Sequence, residues 1–510
     1  MRRALSTAAV ALLAALSAAA GPPSAAAGPP SAARRYRQAH ERAIVGELTA
    51  LLALPNVARD LADMRRNAAH LVRMLEKRGV RTRLLDGRGG PPVVYGRLDS
   101  PGARQTLVFY AHYDGQPVEP GKWTGGQPFR PVLRSRAIED GGAPIAMPGP
   151  GQRFDPEWRL YARSAGDDKA PIMAWMAALD ALRAARIAPR SNLVFFLDGE
   201  EEAGSPHLGE ILRAHPDLIA ADAWIFCDGP VHQSRAQQIA FGARGTVGLE
   251  LTVYGAVREL HSGHYGNWAP NPADMLAHLL ASMRDDEGRV LVPGFYDQVE
   301  PLGPRERRAL AEAPRFDAAL KKELLLARSE GRGKRLEELI NLPALNVRGL
   351  ASAGVGEQAR NVIPTEARAS LELRLVKGME HRRTVERVLA HIRARGYHIV
   401  EAPPDRATRL RYPRLVRVER GPGYDAVRAP MDSPVAQKVI RAVQSARGRV
   451  ILMPTLGGSL PLEPITRVTR APVIVVPIAN HDDNQHGHDE NLRLANLWDG
   501  IETMAALLAM

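Results

Sequence analysis

Only one cysteine, Cys227, occurs along 510 residues, so no disulfide can form within the chain even in an oxidising compartment. Stability must come from packing, with bound metal as the available reinforcement. Cys227 ends an apolar run beside Asp228, where a buried, inert thiol is the expected role. Lysine is also scarce: all but 8 of the 68 basic residues are arginine. The net charge of +12 is spread evenly instead of being gathered on a stripe, which argues against a nucleic-acid partner. Internal repeats are missing, and beyond the N-terminus no segment is apolar for long enough to cross a bilayer, so stable membrane insertion is not expected.

What is present points to a globular chain of two domains, since 510 residues at 45% hydrophobic content exceed one core. The opening MRRALSTAAVALLAALSAAAGPPSAAAG has a basic start, an apolar centre and small residues near Ala20 and Ala27. It reads as a secretory leader over residues 1–27, implying a periplasmic or secreted protein. A retained anchor is the alternative, and Arg2-Arg3 leaves the export route open. The Pro/Ala/Gly-rich residues 21–33 are expected to be disordered ahead of the mature fold.

From Ala33 to Gly79 apolar residues recur at helical spacing. Strand-like and helix-like segments then alternate: QTLVFYAH, PIMAWMAALDALRAARI, SNLVFFL, AWIFC. That alternation predicts an α/β domain with a doubly wound, mostly parallel sheet. GTVGLELTVYG and ASLELRLVKG instead alternate with period two, as half-exposed antiparallel strands do. The expected organisation is a larger domain over 28–240 and 429–510, with a smaller α+β lid inserted over 241–428.

FFLDGEEEAGS, residues 195–205, places Asp198, Glu200, Glu201 and Glu202 at the end of an apolar strand. Clustered carboxylates oppose one another's ionisation and cost stability unless solvent or a cation relieves them. A solvated turn is the ordinary explanation. Here, however, four apolar runs end in candidate ligands: LVFYA in His112 and Asp114, VFFL in Glu201 and Glu202, AWIFC in Asp228, and VIVVPIA in NHDDNQHGHDE. With Asp167 and Asp168 before an apolar helix, these supply enough imidazole and carboxylate groups for two adjacent divalent ions. Zinc leads for such donors, with cobalt or manganese fitting the same atoms.

These residues carry a resemblance to the zinc-dependent M20 metallopeptidase family, above all to its carnosinase-like dipeptidase branch. HYDGQP (112–117), SAGDDK (164–169), DGEEEAGS (198–205), Asp228, HSGHYG (261–266), NP (271–272), NVIP (361–364), LGGSLP (456–461) and DNQHGHDENLR (483–493) occur in the family's order. The resemblance implies that Asp167 bridges two zinc ions, His112 and Asp228 completing one site and Glu202 and His486 the other. The family's spacing to Glu490 points to His486, with His488 of the same loop as the alternative and His481 also in that loop. Glu201 would be the general base for a water held between the ions, and Asp114 would orient His112 through its other ring nitrogen. His261 would reach the developing oxyanion, often from a partner's lid in a homodimer. Arg374 would clamp the carboxylate of a short peptide substrate, with Gly458 and Ser459 as further donors.

Two departures concern backbone freedom. The family's glycine after the lysine is Ala170 here, followed by Pro171, and its Gly-Arg-Gly is Ala162, Arg163 and Ser164. Residues 137–158 read as an insertion beside the site. The expected activity is hydrolysis of dipeptides or release of a terminal amino acid from short peptides. An N-acyl-amino-acid amidohydrolase of the same family is the alternative, and a non-catalytic peptide binder has no use for Glu201 beside five ligands.

Overall fold

A computed structural model describes residues 28–87, 89–125 and 127–510, so the expected leader lies outside the described residues. The first helix, Pro29–Leu52, begins on consecutive prolines at its first two positions. There the missing N–H groups cost nothing and the fixed φ suits the helix. For residues 29–33 the expectation of disorder is therefore corrected, since composition was weighed and the helix-starting position of Pro29 was not, while residues 21–27 lie outside the described residues.

Eight strands form the main sheet in the order Arg81–Leu85, Val93–Leu98, Asn192–Asp198, Thr106–His112, Ala223–Phe226, Val473–Val475, Gln238–Ala240 and Ile451–Met453. Its four central strands run parallel. They are buried on both faces because alternate residues enter two different cores. Leu107, Phe109, Ala111, Phe195 and Ile225 pack under the helices Pro29–Leu52, Lys169–Ala184 and Leu494–Leu508. Val108, Tyr110, Phe196, Trp224 and Phe226 pack on the opposite side, against Leu208–Ala214 and Leu462–Thr469. Each such aromatic, removed from water, contributes about 1.5–3 kcal/mol.

The second sheet is antiparallel at its centre, where Gly242–Tyr254 lies between Glu366–Leu375 and Leu415–Tyr424. Helices Pro272–Ala281 and His381–Ala394 cover one face, through Leu276, Leu279, Val388 and Ile392 on Leu249, Leu251, Leu371 and Leu373. The chain leaves the larger domain along Gly242–Tyr254 and returns beside its own exit, with Arg428 paired to Gly242 and Val427 to Ala243. A Cβ at Gly242 would overlap the Val427 carbonyl, so this crossing depends on glycine. Ala344–Ala351 forms an outer edge of the sheet, with Val347 and Leu350 exposed.

Candidate metal centre

The parallel register sets His112 against Asp198, and Tyr110 against Phe226. Strands that end level with one another deliver their following residues to one edge, which is where open α/β sheets hold ligands. The chain after Val473–Val475 brings the 480–490 loop to the same edge.

His112 is fully buried. Its Nε2 lies 2.7 Å from Asp167 Oδ1 and 3.7 Å from Asp228 Oδ2. Its Nδ1 faces Asp114 Oδ1 at 3.2 Å, close enough for an ion pair but outside hydrogen-bond geometry. Burial opposes the imidazolium, yet Asp114 and Asp167 outweigh it and raise the pKa well above the ordinary value. Asp114 also shapes the acidic turn: its two oxygens accept the backbone N–H groups of Glu201 and Glu202, each at 3.0 Å.

Within that turn the carboxylates diverge. Glu200, outside the expected ligand set, is buried and engaged by His207, accepting its backbone N–H at 2.7 Å and facing its Nδ1 at 2.8 Å. Glu202 Oε2 accepts Gln116 Nε2 at 2.7 Å and lies 3.4 Å from His486 Nε2. The Glu201 carboxylate accepts no hydrogen bond from any described residue, and burial pushes its pKa well up.

Asp167 sits where two groups meet. Its Oδ1 faces His112, while Oδ2 accepts Gln485 Nε2 at 2.7 Å and lies 3.2 Å from His486 Nε2. Burial alone would raise its pKa, but the two histidines hold it well below the usual carboxylate range. Potential ligand atoms of His112, Asp168 and Asp228 lie within 4.8 Å of one another, as do those of Asp167, Glu202 and His486. Either neighbouring aspartate can thus complete the first group. Asp167 is the better bridge, because its second oxygen faces the other group. Asp168 Oδ2 is already used, accepting the backbone N–H of His112 at 3.2 Å.

Burial first, and then the Asp167 charge, raise Glu202 to about 8 and Asp228 to about 7. The hydrogen bond to Asp167 raises His486 to about 9. A cluster that retains protons where its members would ordinarily be ionised lacks positive charge, and the nitrogen and oxygen donors suit borderline divalent ions. His481 turns toward Glu323 at 3.5 Å; His486 and His488 are both exposed, and it is His486 that lies against Asp167 and Glu202.

The Asp167 loop is held from the far end of the chain. Glu490 accepts backbone N–H groups from Ser164 at 2.9 Å and from Gly166 and Asp167 at 3.0 Å, and pairs with Arg163 at 2.8 Å. Ser164 keeps a left-handed φ of 64° without glycine's freedom. Asn56 Nδ2 donates to its Oγ at 2.9 Å, which helps hold it there. Residues 137–158 pass beside this region, with Asn484 Nδ2 3.4 Å from Glu139 Oε1.

A cavity of about 340 Å³ opens onto Asp167, Glu201, Asp228 and His486, and is also lined by Arg374, Gly458 and Ser459. Arg374 Nη1 donates to Ser459 Oγ at 2.6 Å, and its Nε lies 2.9 Å from Glu372 Oε2. A larger cavity of about 550 Å³ against the lid, lined by Arg244, Arg289 and Lys334, contains none of the ligand set. His261 is the one selected residue not brought to the site within a single chain. It is exposed, at the end of the short ladder Leu260–His261 with Val362–Ile363. Gln116, Gln485, Asp168 and Glu490 lie in motifs already recognised but were not selected for the site. Tyr424, raised by burial and the Glu201 charge, carries no signal in RGPGYDA.

Residues 108–510 match peptidase family M20/M25/M40. The chain is 26% identical to human Beta-Ala-His dipeptidase, over 82% of this chain and 76% of that protein. It is 24% identical to the Cys-Gly metallodipeptidase dug1 of Schizosaccharomyces pombe, over 84% and 85%. Among solved structures, the M20 family metallo-carboxypeptidase Sso-CP2 from Sulfolobus solfataricus superposes with a TM-score of 0.75 at 24% identity, covering 91% of this chain and 98% of that one. Human carnosine dipeptidase 1 gives 0.74 at 23%, covering 94% and 99%.

Proposed function

The chain belongs to peptidase family M20/M25/M40, and we propose that it is an exported two-zinc hydrolase that cleaves dipeptides or releases a terminal amino acid from short peptides. One observation carries this reading: Asp167 presents its two oxygens to two separate ligand groups, 2.7 Å from His112 and 3.2 Å from His486. His112, Asp167 and Asp228 would hold one ion and Asp167, Glu202 and His486 the other, with cobalt or manganese able to replace zinc. Such ions supply Lewis acidity toward the scissile carbonyl and an acidified water.

The chain's own groups do the rest. Glu201, with no hydrogen bond to its carboxylate, takes the water's proton and passes it to the leaving amine. Asp114 lies at ion-pair distance from His112 and fixes the turn that carries Glu201. Arg374 and Ser459, already joined by a hydrogen bond, receive the substrate carboxylate, with Gly458 beside them. Dipeptides are favoured by the names of the relatives. The exposed edge Ala344–Ala351 favours a homodimer through the lid, in which His261 arrives from the partner. Export rests on the leader-like sequence over 1–27. No helix among the described residues is long and apolar enough to cross a membrane.

The test is a panel of dipeptides and N-acetyl amino acids, together with Glu201→Gln. Turnover of dipeptides should dominate, and Glu201→Gln should lose it while retaining near-normal metal content. Strict preference for the acyl substrates would overturn the substrate assignment, and substantial residual turnover would overturn the base.

A further inference from the structure

Glu337 lies outside every motif considered above, on the short lid helix Leu336–Ile340. It is 3% exposed and lines the same cavity as Glu201, Asp228 and Arg374. Its Oε1 faces His232 Nε2 at 3.2 Å. His232 Nδ1 accepts the backbone N–H of Ser234 at 3.0 Å. With Nδ1 accepting, Nε2 is the ring nitrogen that donates to Glu337. That hydrogen bond satisfies one oxygen and, against the opposing effect of burial, holds the Glu337 carboxyl below its ordinary value, so it stands as an anion. No donor from any other described residue reaches Oε2, and no Lys or Arg lies within ion-pair distance. Arg335, two residues earlier, acts only through space. A buried carboxylate with one oxygen unengaged is costly unless a cation completes it. The cavity therefore has an anion-receiving group, Arg374 with Ser459, and a cation-receiving group, Glu337, beside the candidate metal ligands.

Resting on the dipeptide reading above, we propose that Glu337 receives the free α-ammonium group of the substrate and so selects unblocked peptides over N-acylated amino acids. An ammonium completes the charge and supplies a donor. An acylated nitrogen does neither and leaves the carboxylate desolvated.

The test uses the full metal-loaded chain in a Glu201→Gln background, with and without Glu337→Gln, titrated calorimetrically with a dipeptide and its N-acetylated form. Glu337→Gln should weaken the dipeptide by about tenfold to a hundredfold and leave the acetylated ligand unchanged, as expected for losing a hydrogen bond to a charged group. In active protein, Glu337→Gln should raise KM for dipeptides far more than it lowers kcat. His232→Gln, which removes the imidazole and keeps the carboxylate, should preserve the discrimination. Equal weakening of both ligands would show that Glu337 only fastens the lid, and no weakening would also overturn the proposal. If the wild type hydrolyses no dipeptide, the functional reading fails while the binding comparison still decides the role of Glu337.

Discussion

At the scale of single residues, the site is organised by carboxylates that would not themselves hold metal. Asp114 uses both oxygens on the backbone of the acidic turn, and Glu490 gathers three N–H groups and Arg163 around the Asp167 loop. Both convert like charges that would separate into a fixed arrangement. Glu490→Gln removes the charge from a buried ion pair and presents an N–H₂ where an acceptor is needed. It should cost about 3–5 kcal/mol of stability and weaken metal binding about tenfold to a hundredfold. Denaturant melts and metal titration measure the two effects separately. An unchanged metal affinity would show that the loop holds its shape without Glu490. At Ser164 the left-handed backbone is held by Asn56 and Glu490, which make up for the freedom that glycine would have given.

Elements determine which of these residues can meet. Four apolar runs were legible as strands because their β-rich composition and length suit a sheet buried on both faces. Their level ends put His112, Asp198 and Asp228 in a row. Order within the sheet was not legible, since Asn192–Asp198 pairs with Thr106–His112 across a helix and a long loop. The edge strand Ala344–Ala351 leaves one side of its backbone without a partner strand and exposes Val347 and Leu350, a surface natural sheets usually cover or charge. Val347→Lys combined with Leu350→Lys should convert the proposed dimer to a monomer, as read by analytical ultracentrifugation. Activity should fall with it, as the proposed delivery of His261 from the partner requires. A wild-type chain that sediments as a monomer would remove the dimer from the account.

For the whole molecule, the candidate centre links stability to pH and metal. Without cations, Glu202 is raised from an ordinary 4.5 to about 8, so the folded chain holds a proton there that the unfolded chain has lost. Stability therefore falls as pH rises through that interval. His486, raised from 6.5 to about 9, acts in the same direction: its contribution is complete below the ordinary value and disappears as pH passes the folded one. Asp167, held low, matters only in strong acid. The metal-free chain should thus lose thermal stability from about pH 5 to about pH 9. With zinc present, stability should rise over the lower part of that range as the ligands shed protons and bind. Thermal melts with and without chelator check both slopes, and parallel curves would mean that these side chains do not hold metal.

By itself the sequence determined the α/β class, the strands that end in candidate ligands and the ordered motifs, because apolar periodicity and short-range spacing are local properties of a chain. By position in a motif it also proposed different roles for Glu201 and Glu202. Only the tertiary structure decided that Asp167 faces both ligand groups, that Glu490 holds a loop more than 320 residues earlier in the chain, and that Glu337 reaches the metal-side cavity from the lid. His261 was selected by its motif and lies apart from the site within one chain for the same reason. These placements depend on pairings between distant segments, whose loop-closure cost is met by the assembled core and leaves no local trace in composition or spacing.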